Sequence, residues 1–186
     1  MLAEQNIATF GKYEFNCMVV TGPHEFNAFK NEYPKYGADF KVAHYTRFLV
    51  GHLDKLKPLL KKPINLKVTF HDPCYLGRHN GEYDAPRELL RAIPGVELVE
   101  MGRCRENGYC CGGGGGGMWL DSFTKEHTTM RLSERRVREA VEYEADVLAV
   151  CCPFEVSRFE DAAKSTGNDR LMVKDILELL DESMQG

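Results

Sequence analysis

From Leu66 to Ser183 the chain alternates short apolar runs with amphipathic segments, and few folds accept that order. Leu66–Phe70, Val96–Glu100, Asp146–Val150 and Leu171–Val173 read as strands, rich in apolar and β-branched residues. Asp84–Ala92, Ser122–Ala145, Phe154–Lys164 and Lys174–Ser183 read as the helices that follow them. Upstream, Phe15–Val20 and Phe40–Ala43 are strand-like, with helical patterns over His24–Glu32 and Tyr45–Leu59. Strand and helix in turn require crossover connections, hence an α/β protein with mostly parallel sheets.

The same strand–turn–helix unit occurs twice. "VTGPHEFNAFK" (Val20–Lys30) aligns with "VCCPFEVSRFE" (Val150–Glu160), matching Val, Pro, Glu and Phe at a constant offset. A further strand and helix follow each copy. The pattern predicts two pseudo-repeated Rossmann-like βαβ lobes, the first incomplete, divided into residues 1–62 and 63–186. On this reading Met1 falls in mid-architecture, and the chain is a fragment or leans on another subunit.

The 186 residues carry a net charge of −4, so no basic field points to nucleic acid. The runs Lys55–Lys67 and Arg131–Arg138 are interspersed with Leu or Val and read as solvated helix faces. No stretch reaches the ~18 apolar residues that span a bilayer, and no secretory leader is visible. A cytoplasmic location is expected, at the inner face of a membrane if a partner holds it there. In that reducing setting seven cysteines point to metal or redox chemistry rather than disulfides.

Four of them fall just after strands. Cys74 follows Leu66–Phe70, Cys110 and Cys111 follow Val96–Glu100, and Cys152 follows Asp146–Val150. In open parallel sheets ligands gather beyond the carboxyl ends of the strands, which would bring the four thiols together. Four thiolates suit zinc or an iron–sulfur cluster. The adjacent pair favours the cluster, because neighbouring side chains diverge and reach different atoms of a larger group. Gly112, Gly113 and Gly114 open a run of six glycines whose N–H groups, unshielded by Cβ atoms, can approach cluster sulfides. The run shows no dinucleotide-binding context. Cys17 and Cys151 read as core filling, and Cys104 stays open between a spare thiol and an auxiliary ligand.

At "DPCYLGRH", "CCGGGGGG" and "CCPFE" the sequence resembles the cysteine-rich CCG domain, the duplicated module of heterodisulfide reductase subunits and related iron–sulfur oxidoreductases. The resemblance implies a [4Fe–4S] cluster on Cys74, Cys110, Cys111 and Cys152, with Zn2+ in a structural module as the alternative. Glu155 stands where the family motif CPxC ends in cysteine, which makes it a candidate carboxylate ligand. Gly22 and Glu25 occupy the matching places upstream, so the first module is expected to hold no cluster.

The implied activity is electron transfer with reduction of a disulfide. The alternative is a relay between a membrane quinone pool and a flavoprotein. Electrons would come from a ferredoxin-like iron–sulfur domain or subunit, with a flavoprotein or membrane-bound cytochrome subunit as further partners and a disulfide or thiol as substrate. His71 is the candidate proton donor to a leaving thiolate. Arg105 and Asn107 are candidates for contact with an anionic substrate or the cluster. His24 and His44 are expected to face the first lobe's own pocket, and Trp119 to pack over the glycine loop.

Overall fold

A computed structural model describes residues 2–119, 126 and 128–185. Its described elements run α1 (Leu2–Phe10), β1 (Met18–Val20), α2 (Pro23–Asn27), β2 (Val42–His44), α3 (Tyr45–Val50), α4 (Leu53–Leu56) and β3 (Lys67–Phe70). They continue through α5 (Asp84–Ala92), β4 (Glu97–Val99), α6 (Leu132–Glu142), β5 (Val147–Val150), α7 (Pro153–Ser165), β6 (Met172–Asp175) and α8 (Ile176–Met184). β1 and β2 form a two-stranded parallel sheet, and the other four strands a parallel sheet in the order β4-β3-β5-β6. The architecture is that of Rossmann-like βαβ lobes, the first with two strands only.

The repeat is a structural one. Val20 pairs with His44 and Val150 with Asp175, and three residues after each of these valines a helix begins at proline, Pro23 or Pro153. Proline suits that place, since the first helical N–H has no partner within the helix. His44 and Asp175 in turn precede α3 and α8 as N-cap residues.

Several boundaries differ from the sequence pattern, for local reasons. Phe15 and Phe40 stay outside the strands because they join Phe10 and Phe29 in an edge-on aromatic cluster, with Phe10–Phe40 and Phe15–Phe40 centroids each 6.0 Å apart. The segment Tyr45–Leu59 divides at Gly51 into α3 and α4, then tightens to a 3₁₀ turn around Pro58. α2 continues into a π turn over Ala28–Glu32. The helix expected from Ser122 begins at Leu132, because Arg131 is extended and its N–H donates to Glu134 Oε2 at 3.0 Å. Residues 122–125 and 127 of that expectation lie outside the described residues. The strand–helix pattern gives no sign of α1, none of whose residues is buried.

Apolar side chains fill both faces of the larger sheet. Alternation along β5 sends Val147 and Ala149 into one core, with Val68, Phe70, Leu89, Ile176 and Leu179, and Leu148 and Val150 into the other, with Val137, Phe159 and Ala162. Phe26, Tyr45 and Leu60 of the N-terminal segment belong to the first of these cores. Tyr45 Oη also donates to Asp175 Oδ1 at 2.8 Å. The two segments are thus joined by one packed interior.

Candidate metal centre

Because β3, β4 and β5 are parallel, their carboxyl ends open on one edge, and the loops leaving them carry the cysteines. His71 N–H donates to Ala149 O at 3.0 Å, which holds the start of the β3 loop against β5. Asp72 then fastens this loop to the one approaching the cysteine pair. Its carboxylate accepts from Arg87 Nη1 and Nη2 at 2.6 and 2.9 Å and from Arg105 N–H at 2.7 Å. Arg87 also spans to Glu100 at the end of β4, through Nε at 2.6 Å and Nη2 at 2.8 Å. Arg105 has a positive φ of 56°, a conformation that a non-glycine residue holds only where its surroundings impose it. Beyond it, Arg78 Nη2 donates to Gly108 O at 2.7 Å, and Tyr109 lies between the guanidinium groups of Arg103 and Arg135.

The four cysteines meet at this edge, and each sulfur has an amide directed at it. Gly112 N–H donates to Cys110 Sγ at 3.3 Å and Gly113 N–H to Cys111 Sγ at 3.4 Å. The Tyr75 amide serves Cys74, and the Phe154 amide, in the first turn of α7, serves Cys152. Gly112 has φ +72°, which turns the chain after the pair and delivers both amides. Cys111 and Cys152 are buried, whereas Cys74 and Cys110 are half-buried.

Cys74 and Cys111 both hydrogen-bond Cys110, so one thiolate is shared by three sulfurs. The Cys110 thiol is pulled down to about 2 by these two donors, while Cys74 and Cys111 are pushed up as donors. Burial and the neighbouring Glu155 push the Cys152 thiol up. Sulfurs supplied with N–H donors and sharing negative charge are the donor chemistry of a thiolate-bound metal.

His71 and Glu155 line the floor beneath them. His71 Nε2 lies 3.4 Å from Glu155 Oε1, and both side chains are almost fully buried. Among the described residues neither His71 nitrogen has a hydrogen-bond partner, and nor does Glu155 Oε2. Together with Cys111 they place three potential ligand atoms within 4.8 Å of one another. Burial, then Arg136, pull His71 down to about 3, so its imidazole is neutral at pH 7 and has one N–H to give. Burial and the Cys110 thiolate hold the Glu155 carboxyl well above the usual carboxylate range. Buried polar atoms with no protein partner are expected where another group completes the site. The donor set therefore fits a thiolate-bound cluster.

The N-terminal segment closes one side of the site. The Glu25 carboxylate folds back over Gly22, so that a Cβ at Gly22 would lie 1.8 Å from Glu25 Oε2. His24 does not face a pocket of its own lobe: its ring is 4.4 Å from Tyr75 and 5.5 Å from Phe154, neighbours of Cys74 and Cys152. His44 is also turned from any pocket, bonded through Nδ1 to Thr46 Oγ1 (2.8 Å) and through Nε2 to Thr21 O (3.1 Å). Trp119 is 84% exposed among the described residues and is not the expected packing anchor over the glycine loop.

The Arg105 side chain is held by Asp84 at 2.7 Å, and Asn107 is exposed in a 3₁₀ turn. Cys151 is fully buried in the core that Val147 enters, Cys17 is half-buried beside β1, and Cys104 is half-buried beside Glu100. Sequence reasoning gave no role to Asp72 or Arg87 and placed Arg136 in a run read as a solvated helix face, whereas its side chain is fully buried and donates to Phe70 O, Arg103 O and Glu139. The available signal was positional: Arg136 falls with Ser133, Val137 and Ala140 on the buried stripe of α6.

A family model described as "Cysteine-rich domain" (CCG) matches residues 68–154. The chain is 42% identical over 186 residues to "Probable iron-sulfur-binding oxidoreductase FadF" of Bacillus subtilis, covering all of this chain and 26% of that protein. It is 36% identical over 190 residues to "EtfAB:quinone oxidoreductase" of Syntrophomonas wolfei, covering 99% of the chain and 26% of the relative. Against a subunit of the dihydromethanophenazine:CoB–CoM heterodisulfide reductase of Methanosarcina barkeri the identity is 37% over 189 residues, covering 98% of the chain and 44% of the relative. The chain thus spans between a quarter and a half of the length of these curated relatives. Residues 68–154, and with them Cys74, Cys110, Cys111 and Cys152, belong to the cysteine-rich CCG domain family.

Proposed function

We propose that this chain is the cluster-bearing part of an iron–sulfur oxidoreductase and passes electrons through a [4Fe–4S] cluster on Cys74, Cys110, Cys111 and Cys152. The observation that carries the reading is the convergence of four sulfurs, each with its own amide donor, above a floor of unpartnered buried polar atoms. Such a cluster, when bound, takes up and gives back one electron at a time. The Gly112, Gly113, Tyr75 and Phe154 amides set its electrostatic surroundings. The N-terminus of α7 adds positive potential behind Cys152. Glu155, buried beside Cys111, is assigned as a carboxylate ligand or as the proton-bearing partner of His71 Nε2. Residues 1–62 are read as the C-terminal part of a first CCG module in which Glu25 fills the space of the missing thiol, and residues 63–186 as the second module.

One set of four cysteines suits a single-electron relay. The name of the EtfAB:quinone oxidoreductase relative favours a quinone pool on one side of the relay, with a flavoprotein as the proposed partner on the other, and a relative named "Probable membrane-anchored ferredoxin" favours a ferredoxin-like domain or membrane-bound subunit in the same assembly. Disulfide reduction is kept as a second reading because Cys74 and Cys110 are half-exposed and a heterodisulfide reductase polypeptide is among the relatives.

Anaerobically purified protein is expected to be brown, to contain about four iron and four sulfide per chain, and to give an EPR signal in one redox state. A colourless protein with stoichiometric zinc overturns the reading. With a cluster present, reduced protein is offered a quinone or a small disulfide: oxidation by quinone without thiol release supports the relay, and release of two thiols per disulfide supports the second reading. Replacing Glu155 by Cys distinguishes its roles, since a ligand exchange changes the EPR line shape and a mere neighbour leaves it unaltered.

A further inference from the structure

Among the described residues three arginines are buried, and one of them has no hydrogen-bond or ion-pair partner. Arg87 is saturated by Asp72 and Glu100, and Arg136 donates to Phe70 O, Arg103 O and Glu139. Arg158, on α7 one turn beyond Glu155, is 5% exposed. Among the described residues no hydrogen bond or ion pair reaches its guanidinium, and its Nε is buried without an acceptor. A buried, uncompensated cation is strongly unfavourable, so such a group marks the place of an anion.

Its position identifies which anion. A Cβ built on Gly112 would lie 3.7 Å from Arg158 Nη2, so the guanidinium rests against the turn that delivers the amides to Cys110 and Cys111. The repeat supplies an independent observation. Gly22 occupies the place of Cys152 in the first lobe, and Ala28 occupies the place of Arg158. The lobe with the thiol has the arginine, and the lobe without it has a methyl group.

We propose that Arg158 is the built-in counter-cation of the cluster on Cys74, Cys110, Cys111 and Cys152, and that it raises the cluster's reduction potential. The inference rests on the cluster reading above. Four thiolates give such a group a net negative charge, and reduction adds one electron with no bond made or broken. A fixed positive charge in a dry site favours the more negative, reduced form. Arginine suits the task because it stays charged when buried, where lysine loses its proton more readily.

The test compares wild type with Arg158→Met and Arg158→Lys, each as iron-loaded and chelator-stripped protein. Iron and sulfide are measured first: their absence from the wild type overturns the cluster reading whatever Arg158 does. With a cluster present, Arg158→Met is expected to lower the midpoint potential in an EPR-monitored redox titration, and Arg158→Lys to recover part of the shift, more at pH 6 than at pH 8, where a buried lysine loses its proton. In the stripped proteins Arg158→Met is expected to melt at or above wild type, since it removes an unpaired buried charge; in the loaded proteins it is expected to lose iron faster. An unchanged potential at full iron content overturns the proposal. So does a stripped Arg158→Met protein that melts well below wild type or does not fold, because the arginine is then a structural anchor.

Discussion

Cys110 accepts from two neighbouring thiols and an amide, so in iron-free protein it carries the thiolate while half-exposed. Thiolate, not thiol, attacks an alkylating agent. Brief iodoacetamide treatment at pH 6 is therefore expected to label Cys110 first, ahead of the buried Cys111, Cys151 and Cys152, with peptide mass spectrometry as the readout. Gly112 makes a second residue-scale test. An alanine there must adopt φ near +72°, which costs about 1–2 kcal/mol and displaces the amides that serve Cys110 and Cys111. Reduced iron content with only a modest loss of stability is the expected outcome. The four cysteines were legible because each follows a strand that periodicity reveals. The orientations of His24 and Trp119 were not, because they depend on which lobe supplies the neighbouring surface.

Among the elements, the loops after β3 and β4 depend on a buried ion network rather than on apolar packing. Arg87 in α5 holds Asp72 and Glu100 together, and Asp72 holds the Arg105 amide. Arg87→Met leaves both carboxylates without their cation, and the loss is expected to be about 3–5 kcal/mol in urea unfolding at pH 7. Asp72→Asn is expected to free the Arg105 turn and lower iron content with a smaller stability loss. Strand and helix types in the larger sheet followed from the alternation of apolar runs. The ends of α3 and α6 did not, since they are fixed by Gly51 and by the extended Arg131, whose amide finds Glu134. The buried arginines left only a positional signal: an arginine on an apolar stripe looks like an exposed residue until its partners are located.

On the scale of the molecule, His44 sits where the N-terminal segment meets the rest of the core. Its imidazole is neutral, accepting at Nδ1 from Thr46 and donating from Nε2 to Thr21 O, and burial pulls it down to about 4 from 6.5. The unfolded chain therefore binds the proton more tightly. The stabilisation is complete above pH 6.5 and declines as pH falls towards 4, by roughly 3 kcal/mol in all. Urea unfolding from pH 7 to 4 should show this slope, and His44→Gln should flatten it. A chain restricted to residues 63–186 is expected to unfold at lower urea than the whole, because it uncovers the core surface that Phe26, Tyr45 and Leu60 occupy. Through Phe26, Tyr45 and Leu60 the N-terminal segment is packed into the interior beneath the cysteine-bearing loops, so a load applied to that segment acts on the same core that positions the sulfurs.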